Sequence, residues 1–88
     1  MTRMELMPIH GEKSFYGKAF VRNYDNGDKV LESYGTDIIR VRGGMMIRLW
    51  DDWSATTGRH IKAFCGLNKK GYMALCTPET MYKTQDDI

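Results

Sequence analysis

The sequence predicts an α+β domain: a small antiparallel sheet of about four strands, one main helix packed on one face, and a short C-terminal helix. Three observations lead there. Residues 14–50 alternate apolar and polar side chains, turn signals divide that stretch into four runs, and after Ser54 the apolar spacing lengthens to that of a helix. With 88 residues the chain has room for one core and no second domain. Its 42% hydrophobic and 27% charged residues place it with globular rather than disordered chains. The expected organisation is a flexible start over 1–12, a single domain over 13–83 and a frayed tail over 84–88.

Each element has a local reason. Residues 14–24 are rich in aromatic and β-branched side chains, with Phe15, Ala19 and Val21 on one face and Tyr16, Lys18, Phe20, Arg22 and Tyr24 on the other. Asn26-Gly27 suits a tight hairpin, because both residue types tolerate positive φ. Residues 29–34 return as the second strand. Gly35-Thr36-Asp37 turns the chain into a third, Asp37–Arg42, where Ile39 and Val41 alternate with Arg40 and Arg42. Gly43-Gly44 makes another two-residue hairpin into Met45–Trp50, with Ile47 and Leu49 on one side and Arg48 and Trp50 on the other. Ser54 is the expected N-cap of the helix, and Asp51 and Asp52 precede it where negative charge favours the helix dipole. Thr57, Ile61, Phe64 and Cys65 form its apolar face, Gly66 ends it, and Ile61 and Phe64 are expected to pack on Ile39, Val41, Ile47 and Leu49. Gly58 weakens the helix by about 1 kcal/mol relative to alanine, so it calls for a packing reason. Asn68 to Gly71 reads as a loop, Tyr72–Cys76 as a short edge strand, and Thr77-Pro78 as the start of a helix running to Lys83.

Chemistry-bearing sets are weak. Two cysteines, Cys65 and Cys76, make no disulfide framework. His10, His60, Cys65 and Cys76 could ligate zinc, but no C-x-x-C or H-x-x-x-H spacing occurs, and His60 and Cys65 fall on different helix faces. The expectation is no metal, with His60 on the polar face and Cys65 in the core. Ser54, Thr56, Thr57 and His60 lie near Asp51 and Asp52, and Thr56 and His60 are one turn apart, yet no nucleophile elbow or oxyanion motif accompanies them. No phosphate-binding glycine motif surrounds Gly43-Gly44. The chain is therefore expected to be no enzyme and to use no cofactor.

A binding surface is the stronger lead. The net charge of +2 falls short of the basic bias of a dedicated nucleic-acid binder. Arg40, Arg42 and Arg48 with Tyr16 and Trp50 could nevertheless line one sheet face, and Trp50-Asp51-Asp52-Trp53 is the densest local feature. Aromatic and arginine side chains dominate protein-interface hot spots. Interleaved, they also hold single-stranded nucleic acid. The expected partner-binding residues are Tyr16, Arg40, Arg42, Arg48, Trp50, Asp51, Asp52 and Trp53, toward a protein first and a nucleic acid second. One tryptophan is expected in the core. Residues 1–11 lack the apolar centre of a secretory leader, and no apolar stretch approaches the roughly 20 residues of a membrane span. A cytoplasmic location is expected.

Three stretches resemble a known family: Lys13-Ser14-Phe15-Tyr16-Gly17-Lys18-Ala19, Leu31-Glu32-Ser33-Tyr34-Gly35-Thr36, and Arg48-Leu49-Trp50 running through Ser54-Ala55-Thr56-Thr57-Gly58-Arg59-His60-Ile61 to Phe64. They are similar to a small domain of unassigned function found in phages, prophages and gut Firmicutes. That family usually has another aromatic at the position of Trp53 and often a larger residue at that of Gly58. It has no assigned activity, so no catalytic residue carries over. The resemblance implies a setting: a small phage protein in a bacterial host, inhibiting a host defence component by contact. An anti-CRISPR protein binding a CRISPR effector nuclease is the sharpest form of that expectation.

Overall fold

A computed structural model describes residues 1–8 and 14–79. Five strands pair antiparallel in chain order: β1 (Thr2–Glu5), β2 (Ala19–Asn23), β3 (Lys29–Ser33), β4 (Thr36–Arg42) and β5 (Met45–Arg48). Among the described residues two helices follow, α1 (Ala55–Cys65) and α2 (Lys69–Met73). The architecture is α+β, with one strand more than expected. Thr2–Glu5, assigned from sequence to a flexible start, line the edge of the sheet against β2, with Met4 opposite Val21.

The β2–β3 and β4–β5 hairpins form where the turn residues stand, with one difference of type, but the turn expected at Gly35-Thr36-Asp37 falls at Tyr34-Gly35, and Thr36 and Asp37 already lie in β4. At Asp25–Asp28 only Gly27 takes positive φ, at 92°, and Asn26 instead accepts a hydrogen bond from the Asp28 amide through its side chain, at 2.9 Å. Gly43 and Gly44, at φ 56° and 81°, make the expected two-residue turn. That turn sets Arg42 opposite Met45 and Val41 opposite Met46. The face shared by Ile39 and Val41 therefore continues into Met46, not Ile47. Ile47 lies beside Arg40 on the opposite face and is buried there. The expected packing of the helix on Ile47 and Leu49 is corrected accordingly.

The core lies between the sheet and the helices. Leu31, Ile38, Ile39, Ile61 and Tyr72 form its centre, with Val41, Met46, Trp50, Trp53, Phe64 and Cys65 packed around them. A register shift after Leu31 adds Ile38 as an extra residue in β4. Such a bulge bends the strand and lets consecutive isoleucines both contribute to one core. Helix α1 begins and ends as its sequence dictates: Ser54 Oγ accepts from the Thr57 amide at 3.1 Å, and Gly66 closes it at φ 78°.

Helix α2 replaces the expected loop. Asn68 caps it by accepting from the Gly71 amide at 2.8 Å, and its purpose is Tyr72. That side chain is fully buried, and its hydroxyl donates to the carbonyls of Trp50 at 2.6 Å and Ile38 at 3.2 Å. Burial pushes its pKa up to about 12. The edge strand expected over 72–76 reduces to one parallel bridge between Cys76 and Ile47. The helix expected to run to Lys83 and the tail 84–88 lie largely or wholly outside the described residues.

Gly58 has its packing reason in Trp53. A Cβ at Gly58 would sit 2.5 Å from Cζ2 of the Trp53 ring, so the indole lies directly on the helix backbone. Gly58→Ala should therefore lower stability by about 1–3 kcal/mol through overpacking, despite the helix propensity gained. Denaturant midpoints check this, and a stabilised variant would contradict the packing.

Candidate functional site: two tyrosine turns over a buried histidine

Two short segments of like sequence make two turns of like shape. In Phe15-Tyr16-Gly17-Lys18 the Lys18 amide donates to the Phe15 carbonyl at 3.0 Å, with Tyr16 and Gly17 at φ 53° and 72°. In Ser33-Tyr34-Gly35-Thr36 the outer residues pair across the β3–β4 hairpin, with Tyr34 and Gly35 at φ 51° and 77°. Positive φ at both central positions matches the twist of a hairpin, and the first of them is ordinarily Asn, Asp or Gly. A tyrosine there carries backbone strain of roughly 1 kcal/mol or more. Tyr16 and Tyr34 are the only described non-glycine residues in that region. The turns touch: the Tyr34 amide donates to the Lys18 carbonyl at 2.8 Å, and the Lys18 ammonium lies 6.0 Å from the Tyr34 ring. Glu5 on β1 braces the first turn by accepting from the Gly17 amide at 3.0 Å.

Beneath them lies His60, expected on the polar face of α1 but only 2% exposed. Its Nδ1 is 2.7 Å from Ser33 Oγ, which is 3.0 Å from Thr57 Oγ1. Phe15 meets the imidazole edge-on at 4.5 Å between ring centroids, and Tyr34 tilts over it at 5.7 Å. The helix thus turns Thr57, Gly58, His60 and Ile61 inward together, a wider buried face than the apolar spacing alone describes. Ser33 and His60 stand at the separation of a nucleophile and its base. Ser33, however, is also only 2% exposed. In this arrangement no substrate atom reaches its hydroxyl, and the pair serves as an internal clasp. The outer surface that it supports is aromatic and cationic: Tyr16 at 78% and Tyr34 at 55% exposure, with Lys18 and Arg59 exposed nearby in sequence.

The other expected site residues are placed differently. Arg40 and Arg42 lie on the face away from the helices, and both reach the buried Asp28 carboxylate, at 3.2 and 2.9 Å. On the same face Arg3 and Arg22 pair with Glu32 at 2.7 and 3.7 Å, and Arg22 with Asp37 at 2.7 Å. Arg3 stacks on Phe20. Arg48 pairs with Asp51 and is mostly covered. Trp50 and Trp53 both pack on the core, Trp53 5.8 Å from the Tyr72 ring, so neither tryptophan is a free anchor. Asp52 accepts from the Trp53 amide at 2.7 Å and stays exposed, as Asp51 does. Tyr16 alone of the expected set belongs to the turn pair. Tyr34, Ser33 and His60 join it unforeseen, although the repeated Tyr-Gly dipeptide was a visible signal. Among the described residues no group of three or more His, Cys, Asp or Glu could hold a metal ion. His10 lies outside them. Burial pushes the Cys65 thiol pKa up. No helix among the described residues is long and apolar enough to cross a membrane.

Fold and site together define a small α+β domain with a clasped aromatic turn surface. The chain belongs to the DUF8033 family of unknown function, whose model matches residues 4–81. Neither the curated proteins nor the solved structures hold a match to it. The three stretches that carry the family resemblance meet at His60: one supplies Phe15 and Tyr16, one Ser33 and Tyr34, one Thr57 and His60 itself.

The arginine face has a pH signature. Hydrogen bonding from Arg42, with help from Arg40, holds the Asp28 carboxyl below the ordinary aspartate value. A lowered folded-state pKa adds stability that is fully present above the unfolded value and is lost as pH falls through the folded one. Asp28→Asn should therefore be less stable than the wild type at neutral pH. The gap should close below about pH 4, near the unfolded aspartate value. Melting curves across that range check it, and a gap independent of pH would contradict the pairing.

Proposed function

We propose that this domain is a non-catalytic binding protein whose contact surface is the Tyr16–Tyr34 turn pair with Lys18. One observation carries the proposal: two tyrosines occupy left-handed turn positions, at φ 53° and 51°, with their side chains largely in water. Backbone strain of this kind concentrates at functional sites, and tyrosine supplies large contact area at low side-chain entropy cost. Burial of Ser33 and His60 supports a binding role over catalysis. A protein partner is favoured over nucleic acid, because Arg3, Arg22, Arg40, Arg42 and Arg48 are already engaged by Glu32, Asp37, Asp28 and Asp51. The setting implied by the resemblance makes the partner a host protein in the bacterial cytoplasm. Inhibition of a host defence component, in the anti-CRISPR manner, is the specific form of the proposal, and it rests on that setting rather than on any residue.

The test separates binding from folding. Asparagine adopts left-handed turn positions readily, and the strain it relieves offsets the loss of the Tyr34 ring from His60, so Tyr16→Asn with Tyr34→Asn should stay within about 1 kcal/mol of the wild type. The same variant should lose partner affinity by roughly thirtyfold or more, the scale of a 2 kcal/mol hot spot. Affinity capture from host lysate, with wild type and variant in parallel, reads the difference. Equal capture by both chains would overturn the assignment of the surface.

A further inference from the structure

We propose that the domain pairs with a second copy of itself through β1, joining two five-stranded sheets into one across a two-fold axis at Met4. Strand β1 is the outer strand of the sheet. Leu6 donates its amide to the Ala19 carbonyl, and antiparallel ladders alternate. Thr2, Met4 and Leu6 therefore direct their backbone groups at β2, while Arg3 and Glu5 direct theirs outward. An outward row of unpaired amides and carbonyls is a template for another strand.

The residues on this row are complementary to themselves. Residues 1–7 read Met-Thr-Arg-Met-Glu-Leu-Met. With Met4 opposite the second copy's Met4, Arg3 faces Glu5, Thr2 faces Leu6 and Met1 faces Met7. Arg3 and Glu5 are the outward hydrogen-bonding pair in that register, so each backbone exchange is flanked by opposite charges. Cross-strand pairs of this kind stabilise a sheet, and like charges there oppose it. Met1, Met4 and Met7 are each more than half exposed in the single chain, and the same register brings all three against methionine.

Edge strands are commonly guarded against such pairing by short length and charge. Here the two charges stand symmetrically about Met4 with opposite sign, so that a second copy meets a match rather than a repulsion. Both remain able to take part. Arg3 bonds Glu32 through Nε and Nη2, not Nη1, and Glu5 accepts from Gly17 through Oε1. The edge pairing rests on the outward backbone of Arg3 and Glu5 rather than on the tyrosine rings, although the Glu5 side chain also braces the first turn.

Sedimentation velocity over a concentration series up to about 1 mM, the weak end of specific association, tests it with charge variants. The wild type should move from monomer to dimer. Arg3→Glu alone and Glu5→Arg alone each place like charges across the axis, so each should remain monomeric; because Arg3 also pairs with Glu32 and Glu5 accepts from Gly17, each is compared at a temperature where circular dichroism shows it folded. Mixed in equal amounts, the two variants should form a one-to-one heterodimer, because the two carboxylates on one edge strand then meet the two guanidiniums on the other. A wild type that stays monomeric throughout would overturn the proposal. So would a dimer that both single variants retain, or a mixture of the two folded variants that does not associate.

Discussion

The contact between Ser33 and His60 organises one end of this molecule. It spans 27 positions in sequence and joins the last residue of β3 to the middle of α1, where Thr57 adds a second hydroxyl. Buried polar groups are costly unless hydrogen-bonded, so burying all three groups requires the helix to meet the sheet in one orientation. Phe15 and Tyr34 close over the imidazole, and through them both tyrosine turns take their position from the helix. Ile61 joins Leu31, Ile38, Ile39 and Tyr72 at the centre of the hydrophobic core. The polar clasp specifies which end of the helix lies under which turns.

The two sheet faces divide the work. The face under the helices is apolar and holds the core. The other is a lattice of arginines and carboxylates in which Asp28 and Glu32 are buried and four guanidiniums surround them. A face built this way spends its charge on itself. Its arginine stems also cover apolar area, as where Arg3 lies on Phe20. The strained tyrosines stand away from this face, in turns at the rim of the sheet.

Much of the fold was legible because its signals are local. Alternation marks β2 to β5, although the run expected to begin at residue 14 becomes strand only at Ala19 because Phe15 to Lys18 form a turn; Gly43-Gly44 marks a hairpin, and Ser54 and Gly66 bound α1. What was missed depends on distant partners. Strand β1 presents one apolar side chain, Met4, to the helix side and gains its structure only from β2. The loop chemistry of Asn68-Lys69-Lys70-Gly71 outweighed the single reason for α2, the burial of Tyr72, whose hydroxyl reaches the Trp50 carbonyl. Ile47 was assigned to the wrong face because a two-residue loop fixes facing pairs, Arg42 with Met45, and that count decides the side of every later residue. At the site, Arg40 and Arg42 were read as free because their acid, Asp28, stands in the turn before β3, 12 and 14 positions away in sequence. His60 was read as exposed because its partner is in β3. The repeated Tyr-Gly turns stood in the sequence, but their convergence did not.

The most direct measurement of this account is the exchange rate of one amide. Tyr34 donates its N–H to the Lys18 carbonyl and so reports whether the two turns are held together. Ser33→Ala removes the hydroxyl that links His60 and Thr57 to the sheet. The account predicts that Tyr34 exchange then accelerates by about tenfold or more, the kinetic equivalent of roughly 1.4 kcal/mol, while amides of central β3 and β4 change less. Exchange at Tyr34 that is unchanged, or that rises only in step with every other amide, would contradict it.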